Sequence, residues 1–338
     1  MARSWGRLLA KIAGYGFLVV LVFAALAITF TVGWRPVIGA QKRALTSQSF
    51  EVTPERRRRG DYLVHAVMHC MGCHSKFDDK ADPPVLASKE GSGQVLFEEG
   101  NFRIVAPNIT SDPETGIGKW SDDAIARAIR EGIAADGSTL FPLMPYEHFR
   151  DLSDEDLASV VVFLRSVPAA HSNLPPAKIP FVFARLVQSA PRPVTAPVPE
   201  PDRAVPAKYG AYLVKMATCS DCHSPRDPKF QLIPGLAMAG GNPMEEGVNS
   251  PNITPDASGI GYYDEALFVQ TIRTGSVRAR KLKPIMLWWM FRNMTDDDLK
   301  AMFAYLRTLK PVHHLVDNTE PPTKCKVCGH KHGLGDRN

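Results

Sequence analysis

The first regular feature along the chain is a stretch without a charge, from Ile12 to Trp34, reading IAGYGFLVVLVFAALAITFTVGW. About 23 apolar or neutral residues suffice to cross a bilayer core of roughly 30 Å as a helix. The run also exceeds the roughly 7–15 residues of a signal-peptide core, so it predicts an uncleaved transmembrane helix over 12–34. Beyond it, apolar positions recur at helical spacing. Leu157, Val160, Val161, Leu164 and Val167 form one stripe, opened by Ser153 and Asp156 in capping-box spacing. Thr295 and Asp298 open a second, with Leu299, Met302, Phe303, Leu306 and Leu309 on its face. A third begins near Ser121, with Ile125, Ala128, Ile129 and Ile133 on one side. Strand-like alternation is absent, and the pattern predicts an all-α fold.

The helices belong to a repeat. Gly60-Asp61-Tyr62-Leu63-Val64 returns as Gly210-Ala211-Tyr212-Leu213-Val214. Pro107-Asn108-Ile109-Thr110 returns as Pro251-Asn252-Ile253-Thr254, Gly116-Ile117-Gly118 as Gly259-Ile260-Gly261, and Phe163-Leu164-Arg165 as Tyr305-Leu306-Arg307. The order never changes, so one domain type is used twice. The predicted organisation is a cytoplasmic N-terminus at 1–11, the membrane helix at 12–34, a basic juxtamembrane linker at 35–59, domain 1 at 60–167, a Pro-rich linker at 168–206, domain 2 at 207–311 and a tail at 312–338. The Pro content of 168–206 favours an extended, semi-rigid spacer that sets the distance between the domains.

Composition adds little to this picture except by exclusion. With 338 residues, 44% hydrophobic and 22% charged, the chain is neither disordered nor collagen-like, and 6 Cys are too few for a disulfide scaffold. The net charge of +5 is unevenly spread: residues 60–167 carry 9 basic and 18 acidic side chains, and residues 207–311 carry 13 and 10. An acidic first domain argues against nucleic acid as a partner. Arg278, Arg280, Lys281 and Lys283 make a basic run in the second domain, suited to an acidic protein surface or anionic headgroups.

The six cysteines form three C-x-x-C pairs, and two are followed at once by His: Cys70-Met71-Gly72-Cys73-His74 and Cys219-Ser220-Asp221-Cys222-His223. C-x-x-C-H is the attachment signature of a c-type haem. Cysteines at i and i+3 share a helix face and can bond the two vinyl groups of one porphyrin edge, while His74 or His223 meets the iron. Two covalently bound haem c groups are therefore expected, each completing the core of a small helical domain. Their attachment occurs outside the cytoplasm, which orients the body after Trp34 to the periplasm of an inner membrane. The flanking charges (Arg3, Arg7 and Lys11 against Arg35, Lys42 and Arg43) leave orientation open by themselves.

The repeat also selects the distal ligands. Aligning Pro142 with Pro284, Phe149 with Phe291, Ser153 with Thr295 and Leu157 with Leu299 needs one constant offset and pairs Met144 with Met286. Pro145 holds Met144 extended, whereas Leu287 lacks that restraint and makes the second iron–sulfur bond the more labile. His148 and Met290 share an aligned position and read as non-ligands, as do His65, His69, His171, His313 and His314. Trp120, Arg130 and Arg273, with Tyr263 opposite Trp120, are candidates for haem propionates or for simple packing. The tail Cys325-Lys326-Val327-Cys328-Gly329-His330-Lys331-His332 leaves three readings open: a flexible segment with thiols or a local disulfide, an extra metal site of Cys325, Cys328, His330 and His332, or a third haem. The recurring Asn-Ile-Thr triplets match a glycosylation pattern but recur in register, which favours a structural loop.

These motifs, with Gly116-Ile117-Gly118-Lys119-Trp120-Ser121 and Met144-Pro145-Tyr146, make residues 60–310 resemble the multihaem cytochrome c subunits of bacterial membrane-bound alcohol, gluconate and related dehydrogenases. The resemblance implies two tandem class I cytochrome c-like domains that carry single electrons from a dehydrogenase subunit to ubiquinone, a cytochrome bc1 complex, a terminal oxidase or another respiratory acceptor. Those subunits usually carry three haem domains and attach near the C-terminus, whereas this chain shows two signatures and an N-terminal anchor. Competing readings are a dihaem enzyme of peroxidase or thiosulfate-oxidising type, which needs an open iron, and a fixed haem subunit of a respiratory assembly.

Overall fold

The computed structural model describes residues 2–77, 85, 89–228, 230–245 and 247–338. Helix α1 runs Ala2–Phe30, so the stretch expected to be a separate N-terminus continues the same helix. Its segment Leu8–Phe30 has a mean hydropathy of 2.4 and none of its apolar window is buried against the protein. It is long and apolar enough to cross a membrane. A short turn, α2 (Arg35–Ile38), follows.

The first repeat contributes α3 (Pro54–Tyr62), α4 (Cys70–His74), α5 (Asp122–Glu131), α6 (Tyr146–Phe149) and α7 (Asp154–Ser166). After α8 (Phe181–Leu186), the second contributes α9 (Pro206–Met216), α10 (Cys219–His223), α11 (Glu265–Thr274), α12 (Trp288–Phe291) and α13 (Asp296–Leu306). The caps are those expected from sequence: Ser121 Oγ accepts from Ala124 N, Ser153 Oγ from Asp156 N and Thr295 Oγ1 from Asp298 N, at 3.1–3.2 Å.

The first helix of each repeat crosses the last at a glycine. A Cβ on Gly60 would lie 2.0 Å from Ser159 O, and one on Gly210 would lie 1.8 Å from Ala301 O. Only hydrogen at these positions lets α3 meet α7, and α9 meet α13, backbone to backbone. The repeats differ here by one residue, since Gly60 precedes Cys70 by ten positions and Gly210 precedes Cys219 by nine. A single π-turn, Leu63–Val67, takes up the extra residue at the end of α3, as insertions into helices commonly do.

All-α is too strict. Among the described residues there are four two-stranded antiparallel hairpins: β1 (Gln94–Glu99) with β2 (Phe102–Ala106), β3 (Pro243–Glu245) with β4 (Val248–Asn249), β5 (Ser276–Val277) with β6 (Arg280–Lys281), and β7 (Pro322–Lys324) with β8 (Lys331–Gly333). Their strands are short, and the longest pair shifts register between Val95 and Phe97, so no clean alternation marks them in the sequence.

The Pro-rich segment does not hold the repeats apart. Tyr62 Oη donates to Asp298 Oδ2 at 2.6 Å and accepts from Thr295 N at 3.1 Å. Tyr212 Oη donates to Asp156 Oδ2 at 2.6 Å and accepts from Ser153 N at 3.4 Å. Each tyrosine reaches the cap of the other repeat's last helix, and the buried apolar residues of both halves form one continuous cluster. The segment itself folds back on the first repeat. Lys178 and Arg103 exchange backbone hydrogen bonds at 2.7 and 2.9 Å, and Asp154 N donates to Val198 O at 2.9 Å.

The residues after α2 are likewise bound rather than free. Arg43 forms ion pairs with Asp123 at 2.6 Å and Glu131 at 2.7 Å. Thr46 N donates to Asp123 Oδ2 at 2.6 Å and Phe50 N to Asp122 Oδ2 at 2.9 Å, which lays residues 43–50 across the start of α5.

Candidate functional site

Each C-x-x-C-H sequence forms a five-residue helix entered through a left-handed residue, His69 at φ 45° before α4 and Thr218 at φ 53° before α10. The four cysteines are free of disulfides. His74 and His223 are buried, and their Nδ1–H groups donate to Pro107 O at 2.7 Å and Pro251 O at 2.8 Å. That bond fixes the tautomer and leaves Nε2 with its lone pair free. Burial lowers both imidazoles below their usual range, so each is the neutral form that ligates a metal.

The Pro-Asn-Ile-Thr motif is what holds the accepting carbonyl. Asn108 is buried. Its Oδ1 accepts from Thr110 N at 2.9 Å and Thr110 Oγ1 at 2.7 Å, and its Nδ2 donates to Ala170 O at 2.7 Å and Thr115 Oγ1 at 2.9 Å. Asn252 repeats this with Thr254, Val312 O and Ser258 Oγ. Both carboxamides are consumed inside the fold, in keeping with a structural loop.

Met144 lines the same apolar cavity as Cys70, Cys73 and His74, walled further by Trp120 and Ile125. Met286 ends a short turn, Pro284–Met286, and packs against the core. Leu287, expected to leave Met286 loosely held, instead sits in the left-handed region at φ 57° with its N–H on Pro284 O at 2.9 Å. The second methionine loop is thus fixed by a different turn.

Arg130 and Arg273, candidates for haem propionates or for packing, have partners inside the protein. Arg130 pairs with Asp154 at 2.7 Å and also donates to Leu152 O; Arg273 pairs with Asp296 at 2.5 Å and donates to Arg292 O. Both tie the middle helix of a repeat to the start of its last helix. The aligned positions His148 and Met290 also face across the repeats. His148 Nε2 meets Asp221 Oδ1 at 2.8 Å, and Met290 Sδ lies where a Cβ on Gly72 would approach to 2.8 Å. Gly72 and Asp221 are themselves equivalent residues.

The tail is folded. Cys325, Cys328 and His332 converge with His314, all four buried, while His330 Nε2 points elsewhere, to Arg226 O at 2.8 Å. Of the expected set, Cys325, Cys328 and His332 come together, and His314, read from the sequence as a non-ligand, stands in the place expected for His330 in a group that could hold a metal ion. No spacing rule reaches from His314 to Cys325; only the fold brings them together.

In each repeat the two free thiols, the imidazole with a free Nε2 and a thioether on a loop are the donor set that a covalently bound haem c requires. The apolar wall that joins them in the first repeat suits a porphyrin face. Known proteins agree with this reading. The cytochrome c family model matches residues 59–168 and 207–310. The chain is 29% identical over 264 residues to one of the subunits of nicotinate dehydrogenase from Pseudomonas putida, covering 73% of this chain and 21% of that one. It is 29% identical over 263 residues to the fructose dehydrogenase cytochrome subunit of Gluconobacter japonicus, covering 74% and 52%. It is 26% identical over 248 residues to a diheme cytochrome c-type of Cereibacter sphaeroides, covering 72% and 82%. The chain thus spans about a fifth to half of the length of the first two and most of the third.

Proposed function

Because this chain belongs to the cytochrome c family, with both repeats matched, we propose that it is a membrane-anchored dihaem electron carrier. It takes single electrons from a dehydrogenase and delivers them to a respiratory acceptor on the periplasmic side of an inner membrane. The observation that carries this is the duplication of the ligand support: His74 on Pro107 O and His223 on Pro251 O, each in a repeat that carries a methionine at the same aligned position. Bound haem would supply one-electron chemistry, held by Cys70, Cys73, His74 and Met144 in the first repeat and by Cys219, Cys222, His223 and Met286 in the second, and His/Met ligation would raise its potential. The residues' own work is to keep each imidazole neutral and oriented, to hold each thioether from a constrained turn, and to exclude water with apolar walls.

The names of the relatives support a dehydrogenase as donor, and the basic hairpin β5–β6 supports an acidic docking surface. The membrane reading is supported by α1 and by the exposed Phe181, Val182 and Phe183 on α8, which packs against α2 just after the apolar helix. The test is a haem-to-protein ratio with axial-ligand spectroscopy on the detergent-purified chain. Two haems per chain, both low-spin with methionine ligation, are expected. Met144→Leu and Met286→Leu should each convert one haem. A high-spin iron in the resting protein, or ligation other than His/Met, would overturn the carrier reading in favour of a dihaem enzyme.

A further inference from the structure

The tail cluster lies outside both haem sites and has the makings of a separate metal centre. His314, Cys325, Cys328 and His332 expose at most 4% of their surface, and their four ligand atoms all lie within 4.8 Å of one another. Cys325 Sγ stands 3.4 Å from His314 Nε2, and Cys328 Sγ stands 3.3 Å from His332 Nε2. A tetrahedral zinc ion with Zn–S near 2.3 Å and Zn–N near 2.0–2.1 Å holds S and N about 3.6 Å apart. The spacing is therefore close to that of a loaded site.

The surroundings are also those of a built site. His314 Nδ1 donates to Ala239 O at 2.9 Å and His332 Nδ1 to Gly333 O at 3.1 Å, so both rings turn Nε2 inward. Cys325 Sγ accepts from Val327 N at 3.3 Å and from Cys328 N at 3.5 Å, and Cys325 and Cys328 are not joined as a disulfide. Gly329 at φ +76° turns the chain out of the Cys325–Cys328 knuckle, and the β7–β8 hairpin brings His332 back. Gly241 permits the approach of His314, since a Cβ there would come within 2.5 Å of its ring.

We propose that His314, Cys325, Cys328 and His332 bind one structural Zn²⁺ that fastens the C-terminal tail to the second repeat. Two thiolates and two imidazoles in a closed tetrahedral set select zinc over harder cations, and four protein donors leave no open position for catalysis. The centre is tied to the second repeat through one peptide. Ala239 O accepts from His314, while the adjoining Gly240 N donates to His223 O at 2.8 Å. The metal thus braces the segment that also backs His223.

The test uses the full-length chain purified with both haems. Elemental analysis should give about one zinc per chain, and zinc-edge absorption spectroscopy should show two sulfur and two nitrogen neighbours at the distances above. His314→Gln and Cys328→Ser should lower zinc content roughly tenfold or more, whereas His330→Gln should keep it. Loss of zinc should raise hydrogen exchange in residues 239–241 and 314–333 more than in the first repeat. Wild-type chain without zinc, a Cys325–Cys328 disulfide, a third haem on those cysteines, or loss of zinc from His330→Gln but not from His314→Gln would each overturn the proposal.

Discussion

His69 Nε2 and Thr218 Oγ1 lie 3.1 Å apart and are buried, and they are the same position of the two repeats, each the left-handed residue before its first cysteine. A contact between equivalent residues marks a local two-fold axis. Two further pairs of cross-repeat contacts obey it: Tyr62 to Asp298 mirrors Tyr212 to Asp156, and Met290 over Gly72 mirrors His148 with Asp221. The two repeats pack like an isologous dimer in one chain, and the residues that precede the two attachment helices touch each other.

The tyrosine pair should be energetically symmetric. Tyr62→Phe and Tyr212→Phe each remove a hydrogen bond to a buried capping carboxylate, and each is expected to cost about 1.5–3 kcal/mol. Arg59 pairs with Asp156 and lies over the Tyr62 ring, so the double variant should depart from the sum by the coupling that this shared neighbour carries. Denaturant unfolding followed by circular dichroism checks this; no change in midpoint for either variant would deny the tyrosines any part in the interface.

The glycine crossings should tolerate nothing larger. Gly60→Ala and Gly210→Ala put a Cβ against a backbone carbonyl that cannot swing away, and each is expected to cost about 3 kcal/mol or more, at the upper end of overpacking. The helix separation must widen, so thermal midpoints should drop by several degrees. A neutral result would show that the crossings relax freely.

Acid should loosen the segment that follows α2 first. Despite desolvation by burial, which raises it, Asp123 is held below its ordinary pKa by hydrogen bonds from Arg43 and Thr46. Its stabilisation is therefore fully present above the unfolded value of about 3.9 and is lost as pH falls through the lower folded value. Arg43→Gln leaves Asp123 buried and unpaired, an arrangement that costs about 3–5 kcal/mol, and should move the acid transition to higher pH. Limited proteolysis at residues 35–50 across a pH series reads this out; an identical profile in wild type and variant counts against it.

Asn108→Ala and Asn252→Ala should each strip a Pro carbonyl of its support. With several buried partners left unsatisfied, a loss of about 2–4 kcal/mol is expected. The effect should also be local: Asn108→Ala should perturb only the haem on His74, and Asn252→Ala only the one on His223, in a potentiometric titration that resolves the two. Equal shifts at both haems would contradict the independent supports.

Much of this was open to a reader of the sequence, and the reasons are specific. Ser121, Ser153 and Thr295 declared their helices because capping is local chemistry. Cys70, Cys73 and His74 carry the spacing that thioether attachment needs, and alignment of the repeats is what pairs Met144 with Met286. Arg130, Arg273 and the short hairpins did not follow. An arginine has many partners in reach, and its choice of Asp154 depends on where α7 starts in space.

What the sequence alone determined, then, is whatever rests on contacts within a few residues or on duplication: the apolar helix, the helical repeats, the two haem-binding signatures and their aligned methionines. What only the tertiary structure decided is how distant segments meet. The local two-fold axis, the docking of Arg43 on Asp123 and the choice of His314 over His330 beside Cys325 and Cys328 join residues from about 11 to more than 200 positions apart. Such pairings are fixed by burial and packing of the whole chain, which no local spacing encodes.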